Sequence, residues 1–134
     1  MTSKQQPVGF HIHKGKLSMV FHSTDKGKDN EFETVALTDA ANFKTGEKHK
    51  GIISVERHSS GEVYLVTKLT NKSNEGYHYF PVEGPLKKDM TLECDKIFTP
   101  DGEEYKFQKK TTPRQFKVMN FPKELNNRVL ELLG

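Results

Sequence analysis

The sequence predicts a mainly β domain, either a small antiparallel barrel or a twisted sheet of about seven or eight strands, with one C-terminal amphipathic helix. Two observations carry this prediction. Short stretches rich in Val, Ile, Phe, Tyr and Thr recur roughly every ten residues between turn-forming clusters. An apolar stripe at helical spacing then ends the chain. Its 134 residues suit one core, so we predict a single domain over 1–134, flexible at 1–8 and helical at 122–133.

The strand candidates alternate apolar and polar residues and end at turn signals. The clearest hairpin joins Gly51–Arg57 to Glu62–Thr70 through Ser59, Ser60 and Gly61, and we predict that it is the central pair of the sheet. Pro81 lacks a backbone amide, which predicts an edge strand over 77–82. The remaining strand candidates are 9–13, 17–24, 32–38, 90–98, 105–107 and 116–119.

The predicted helix begins beside Pro122, a residue that suits the first helical position. Its apolar stripe must pack against the sheet or against a partner. Residues 39–50 are the most helix-like part of the interior, but Gly46 and the surrounding charges predict a loop there. The stripe consists of Leu125, Val129, Leu130, Leu132 and Leu133.

The composition indicates a small soluble domain of the cytoplasm. No apolar run is long enough to cross a bilayer, and the first residues lack the apolar segment of a secretory signal. Cys94 is the single cysteine and has no internal disulfide partner, which agrees with a reducing compartment. The 21 Lys and Arg exceed the 18 Asp and Glu, and the net charge of +3 suits a polyanionic partner.

Basic and aromatic residues alternate over 105–110 and 114–117, and the segment 77–80 adds further aromatic rings. Proteins bind single-stranded nucleic acid in this way, because bases stack on exposed rings while cations follow the phosphates. We therefore predict a non-catalytic protein that binds nucleic acid, single-stranded in preference to duplex, with no cofactor and no metal. On a half-buried strand the same alternation would instead place Tyr105 and Phe107 in the core. The predicted nucleic-acid-binding residues are Tyr77, Tyr79, Tyr105, Lys106, Phe107, Lys109, Lys110, Arg114 and Lys117.

A small regulatory or inhibitory protein is the main alternative. The helix face formed by Leu125, Val129 and Leu133, or an edge of the sheet, would then bind another protein or a second copy of this chain. The same face would be buried if the helix simply closes its own barrel.

A third hypothesis is a phosphoesterase that uses His22 and His58, each of which is followed by two hydroxyl residues. Two imidazoles could act as general acid and base across a phosphodiester. Both sites have Ser in the position that such enzymes usually fill with an apolar residue. The chain contains no glycine-rich phosphate loop, nucleophile elbow or paired-carboxylate motif, which disfavours an enzyme of familiar mechanism.

His11 and His13 would lie on one side of a strand, a spacing that binds metal when a third ligand approaches. His22 or His78 are the candidates for that ligand. Exposed histidines on a hairpin are the simpler interpretation, because no cysteine pair or acidic residue stands at a diagnostic spacing. Cys94 alternates with Leu92 and is predicted to be a small buried hydrophobe.

Overall fold

The computed structural model describes residues 7–23, 31–39, 43–69, 77–94, 96–98, 104–105 and 114–134, of which 96, 98, 104 and 105 are described by their backbone. These residues form one antiparallel sheet of ten strands and a C-terminal helix, α1 (Lys123–Leu133). The prediction of a mainly β fold with one C-terminal helix is confirmed. The strands are β1 (Pro7–His13), β2 (Lys16–Ser23), β3 (Glu31–Ala36), β4 (Lys48–Arg57), β5 (Val63–Leu69), β6 (Tyr77–Pro81), β7 (Thr91–Glu93), β8 (Lys96–Phe98), β9 (Glu104–Tyr105) and β10 (Arg114–Val118).

Strands β1 to β6 follow one another in the sheet as they do in the chain, and each is antiparallel to the next. The full order is β7-β10-β1-β2-β3-β4-β5-β6-β8-β9. The predicted hairpin of β4 and β5 is present, with paired residues from Gly51 opposite Leu69 to Arg57 opposite Val63. It lies in the interior of the sheet but is not its central pair, because five strands precede it in the order and three follow it. β1 begins at Pro7, so the buried Val8 belongs to the sheet and not to the flexible segment predicted over 1–8.

The sheet curls into a nearly closed barrel. Phe80 of β6 and Phe116 of β10 show the curvature: their ring centroids are 5.8 Å apart, although five strands separate β6 from β10 in the sheet order. The rings and branched side chains between them form one apolar core, and each buried side chain of this size contributes about 1.5–3 kcal/mol to folding. Eight of its members are completely buried: Val8, Phe21, Ile53, Leu65, Phe80, Phe116, Val118 and Val129.

The segment predicted as one strand over 90–98 is divided into β7 and β8, so that prediction is corrected. β7 pairs with β10 at one edge of the sheet, whereas β8 pairs with β6 near the other edge. The chain changes neighbours between Glu93 and Lys96. Because so few residues link β7 to β8, the two edges of the sheet must lie close together, and this connection therefore helps to close the barrel.

The prediction of an edge strand over 77–82 is wrong. β6 has β5 on one side and β8 on the other. Pro81 is tolerated because only Tyr77 to Tyr79 of β6 pair with β8, whereas Pro81 lies opposite Tyr64 of β5 alone. The missing amide therefore leaves no gap in the ladder to β8.

Helix α1 covers one end of the barrel and packs on β4 and β5. Leu125 and Val129 are buried in the core, whereas Leu130 is 49% exposed and Leu133 is 39% exposed. The apolar stripe is thus divided between the core and the surface. In the part of the chain that the structure describes, no helix is both long and apolar enough to cross a membrane.

Candidate functional site at the mouth of the barrel

One end of the barrel lies near α1, and we call the opposite end the mouth. Asn120, three residues before α1, donates a backbone hydrogen bond to Pro7, so the start of β1 lies at the helix end. β1 therefore reaches the mouth at His13, which pairs with Arg114 at the start of β10. The turn between β1 and β2 also lies there, and both Lys14 and Gly15 have positive φ, as a tight two-residue hairpin turn requires.

Four polar side chains meet inside the barrel toward this end, and we call them the mouth cluster: His11, Thr67, His78 and Arg114. His11 Nε2 lies 2.9 Å from Thr67 Oγ1. The ring centroids of His11 and His78 are 5.1 Å apart. Arg114 Nη1 lies 2.8 Å from His78 Nε2. Each residue comes from a different strand, so the cluster ties β1, β5, β6 and β10 together across the interior.

The hydrogen bond between Arg114 and His78 fixes the charge state of the imidazole. A guanidinium group can only donate hydrogen bonds, so Nε2 of His78 is the acceptor and carries no proton. His78 is therefore neutral, with its proton on Nδ1. Its side chain is almost fully buried, at 9% exposure, which agrees with a neutral ring.

His11 is also neutral. Its ring lies among those of Phe21, Phe80 and Phe116, with centroid distances of 5.1, 5.9 and 5.7 Å. Desolvation, and secondly the charge of Arg114, lower the pKa of His11 from 6.5 to about 3. Although the residue keeps some solvent exposure, its ring is enclosed, and the low pKa follows from that enclosure. The same two causes, with Lys14, lower the pKa of His13.

The positive charge of the mouth cluster therefore belongs to Arg114. No carboxylate of the described residues lies within 4.0 Å of its guanidinium group. The cluster combines one cation, two neutral imidazoles and one hydroxyl. This set suits the binding of an anion. It does not suit acid catalysis by His11, because a pKa of about 3 leaves no protonated ring at neutral pH.

The predicted nucleic-acid-binding residues divide into three groups. Lys106, Phe107, Lys109 and Lys110 lie outside the described residues, and Tyr105 is placed by its backbone in β9. Arg114 and Lys117 form the second group, in β10. Arg114 points into the barrel and belongs to the mouth cluster. Lys117 is at the surface, where its Nζ lies 3.8 Å from Asp89 Oδ1.

Tyr77 and Tyr79 form the third group, on the outer face of β6. They alternate with His78 and Phe80, whose side chains face the interior. Tyr79 is only 9% exposed and packs with Tyr64 and Val66 in a second, smaller cluster. Tyr77 is partly exposed at the edge of that cluster, and Lys68 Nζ lies 4.9 Å from the centroid of its ring. We call Tyr77 and Lys68 the outer patch.

The register separates His22 from His58. His22 pairs with Glu33, which in turn pairs with Lys50 of β4. His58 follows Lys50 by eight residues, so the two positions differ by about 26 Å along the strand direction, at about 3.3 Å per residue. Two imidazoles at that separation cannot act on one phosphodiester, and the phosphoesterase hypothesis loses its geometric basis.

The structure supports one contact of the metal hypothesis but shows no metal site among the described residues. His78 does approach His11, as the sequence suggested for a third ligand. Among the described residues, however, no three His, Cys, Asp or Glu side chains are placed to hold a metal ion. Cys94 packs against the apolar core but is only partly buried, whereas the sequence predicted a buried residue.

The candidate site must be interpreted from its own chemistry. Comparison with known proteins finds no matching family model, curated protein or solved structure. Sequence reasoning missed Thr67 and the pairing of His78 with Arg114. The sequence does contain a signal for this cluster, namely polar residues at positions that face the core. His11, Thr67 and His78 each stand where strand alternation predicts an apolar side chain.

Proposed function

We propose that this protein is a non-catalytic nucleic-acid-binding protein that prefers single strands. The observation that supports the proposal is the outer patch, where the ammonium group of Lys68 lies 4.9 Å from the centroid of the partly exposed Tyr77 ring. A base can stack on such a ring while the neighbouring cation contacts a phosphate. Duplex DNA does not offer its base faces in this way, so the preference is for single strands.

The position of Tyr77 supports a continuous binding path. His78, the next residue of β6, contacts Arg114 at the mouth of the barrel, so Tyr77 and Arg114 lie at the same end of the molecule. The predicted basic residues 106–110 precede Arg114 in the sequence. A strand that stacks on Tyr77 would therefore have the cation of Arg114 within reach at the mouth. Tyr79 is enclosed by its neighbours, so stacking is assigned to Tyr77.

The test is binding of fluorescent single-stranded and duplex oligonucleotides over a range of salt concentrations. We expect single strands to bind more tightly, with an affinity that falls as salt rises. Tyr77→Ala should weaken binding by about 1–3 kcal/mol, the contribution of one stacked base, whereas Tyr77→Phe should retain it. Joint replacement of Lys106, Lys109 and Lys110 by Gln should flatten the salt dependence.

Lys123→Gln is the matched control, because Lys123 is exposed on α1 at the opposite end of the barrel. It should leave the affinity and the salt dependence nearly unchanged. Absence of binding even at low salt would refute the proposal, and so would a triple lysine variant with the salt dependence of the wild type.

A protein-interaction module is the alternative that a failed binding test would favour. Leu130 and Leu133 of α1 are exposed and available to a partner. Leu125 and Val129, which the sequence placed on the same docking face, are buried in the barrel core. The accessible apolar surface of the helix is therefore smaller than the stripe in the sequence implies, and for this reason we rank the alternative second.

A further inference from the structure

Among the described residues, Arg114 is an incompletely satisfied cation in a partly buried position. Its guanidinium group has five N–H donors, and among the described residues the side chain makes one hydrogen bond, to the neutral His78. The residue is only partly exposed to solvent. A charge that is withdrawn from water is costly unless an opposite charge and further hydrogen bonds compensate it. We therefore expect an anion to bind beside Arg114 and compensate its charge.

The surroundings of Arg114 add to the positive potential of the mouth. Lys14 and Lys16 supply this charge: both are exposed in and beside the turn that follows His13, the residue opposite Arg114 in the register. Glu93 is the carboxylate nearest in the register, opposite Gln115, and its side chain is exposed on β7. The described mouth thus has more cations than carboxylates, an arrangement that attracts anions.

We propose that the mouth of the barrel is a binding site for a phosphate-type oxyanion, either free phosphate or a phosphate monoester, with Arg114 as its main ligand. The planar fork of a guanidinium group matches two oxygens of a phosphate. His78 is the positioning residue, because it occupies one donor of Arg114 and orients the remaining ones. This site is distinct from the outer patch and does not depend on nucleic-acid binding.

The first test is calorimetric titration of inorganic phosphate into the full chain at neutral pH. The wild type should bind phosphate, and Arg114→Gln should weaken that binding by about tenfold or more, as expected for loss of a charge-assisted hydrogen bond. Arg128→Gln is the matched control, since Arg128 lies on α1 and contacts Glu131 far from the mouth. Absence of binding to the wild type would overturn the proposal, as would equal binding to Arg114→Gln.

A second measurement needs no variant and so does not depend on the folding of Arg114→Gln. Burial, and secondly the charge of Arg114, lower the pKa of His13. A bound anion would offset that charge, so saturating phosphate should raise the pKa of His13 in the wild type, as followed by the NMR signals of its ring. A His13 pKa that phosphate does not change would count against an anion beside Arg114.

A competition experiment distinguishes the two sources of the phosphate group. Oligonucleotides that carry or lack a terminal phosphate are added to the protein in the presence of inorganic phosphate. Displacement by the phosphorylated strand alone would assign the site to a strand end, whereas displacement by neither would assign it to free phosphate. The titration with inorganic phosphate contains no oligonucleotide. A protein that does not bind nucleic acid could therefore still bind phosphate, and each of the two proposals can fail without the other.

Discussion

Asn126 of α1 forms two hydrogen bonds with the backbone of Leu86. Its Nδ2 donates to the carbonyl oxygen of Leu86 at 2.8 Å, and its Oδ1 accepts from the amide nitrogen at 2.9 Å. Leu86 itself is buried in the core, in the connection between β6 and β7. One side chain thus satisfies both polar groups of a buried backbone unit and holds this connection against the helix.

Asn126→Ala should lower the free energy of unfolding by about 1–3 kcal/mol, because both groups of Leu86 lose their partner. Asn126→Asp should also destabilise the protein, since an ionised carboxylate cannot donate to the carbonyl oxygen. Urea unfolding measures both effects. Asn127→Ala changes the same residue type at the exposed neighbouring position and serves as the control. Equal stability of the Asn126 and Asn127 variants would show that the paired hydrogen bonds contribute nothing.

Leu125 and Leu130 distinguish the buried side of α1 from its exposed side. Leu125 is 5% exposed and Leu130 is 49% exposed. We expect Leu125→Ala to cost about 2–5 kcal/mol of stability through lost burial and a residual cavity. Leu130→Ala should change stability by less than about 0.5 kcal/mol. Chemical unfolding of the two variants tests this, and a larger loss at Leu130 would mean that the helix packs with its other face inward.

Gly51 permits a close approach inside the barrel. A β-carbon at this position would lie 2.7 Å from Thr34 Cγ2 and 2.8 Å from Phe21 Cε2. Gly51→Ala should therefore cost about 1–3 kcal/mol, because buried neighbours must move to admit the methyl group. Gly84→Ala is the control, since a β-carbon there meets no atom within 4 Å. Thermal unfolding measures the stability of both variants. Equal stability of Gly51→Ala and Gly84→Ala would contradict the close packing around Gly51.

The lowered pKa of His11 predicts loss of stability in acid. Between its ordinary pKa of 6.5 and about 3, the unfolded chain binds a proton that the folded chain does not. The free energy of unfolding should therefore fall as pH decreases through this window, by up to about 1.4 kcal/mol per pH unit. Urea unfolding of the wild type and of His11→Gln at about pH 7 and about pH 5 measures the difference.

His11→Gln should show the smaller acid loss, because it removes the titrating ring and keeps a polar group near Thr67. His13, whose pKa is also lowered, is present in both proteins and contributes in the same direction. The comparison thus isolates His11. Identical pH dependence of the two proteins would mean that the His11 ring takes up a proton in the folded state as readily as in the unfolded state.

The elements predicted correctly are those whose signals are local. The β4–β5 hairpin has alternating side chains on both strands and a short turn at Ser59, Ser60 and Gly61, and the structure pairs it as expected. Helix α1 begins directly after Pro122, within one residue of its predicted start. In both cases the residues that determine the structure are neighbours in the chain.

The features that sequence reasoning missed depend on contacts between distant residues. Thr67 is separated from its partner His11 by 56 residues, and Arg114 is separated from His78 by 36. Such pairs meet only because the sheet curls, and the curvature is not encoded in any single segment. The division of 90–98 has the same origin, since alternation indicates a strand and does not indicate which neighbour the strand pairs with.

The position of β10 has a consequence for the order of folding. β1 pairs on one side with β2, across a two-residue turn, and on the other side with β10 near the end of the chain. A ribosome therefore delivers the second partner of β1 only after the intervening strands β2 to β9 have been made. Until then β1 presents unpaired backbone groups, and such an edge readily pairs with strands of other molecules. A nascent or truncated chain that stops before Arg114 keeps that edge open and is thus the form most prone to aggregate.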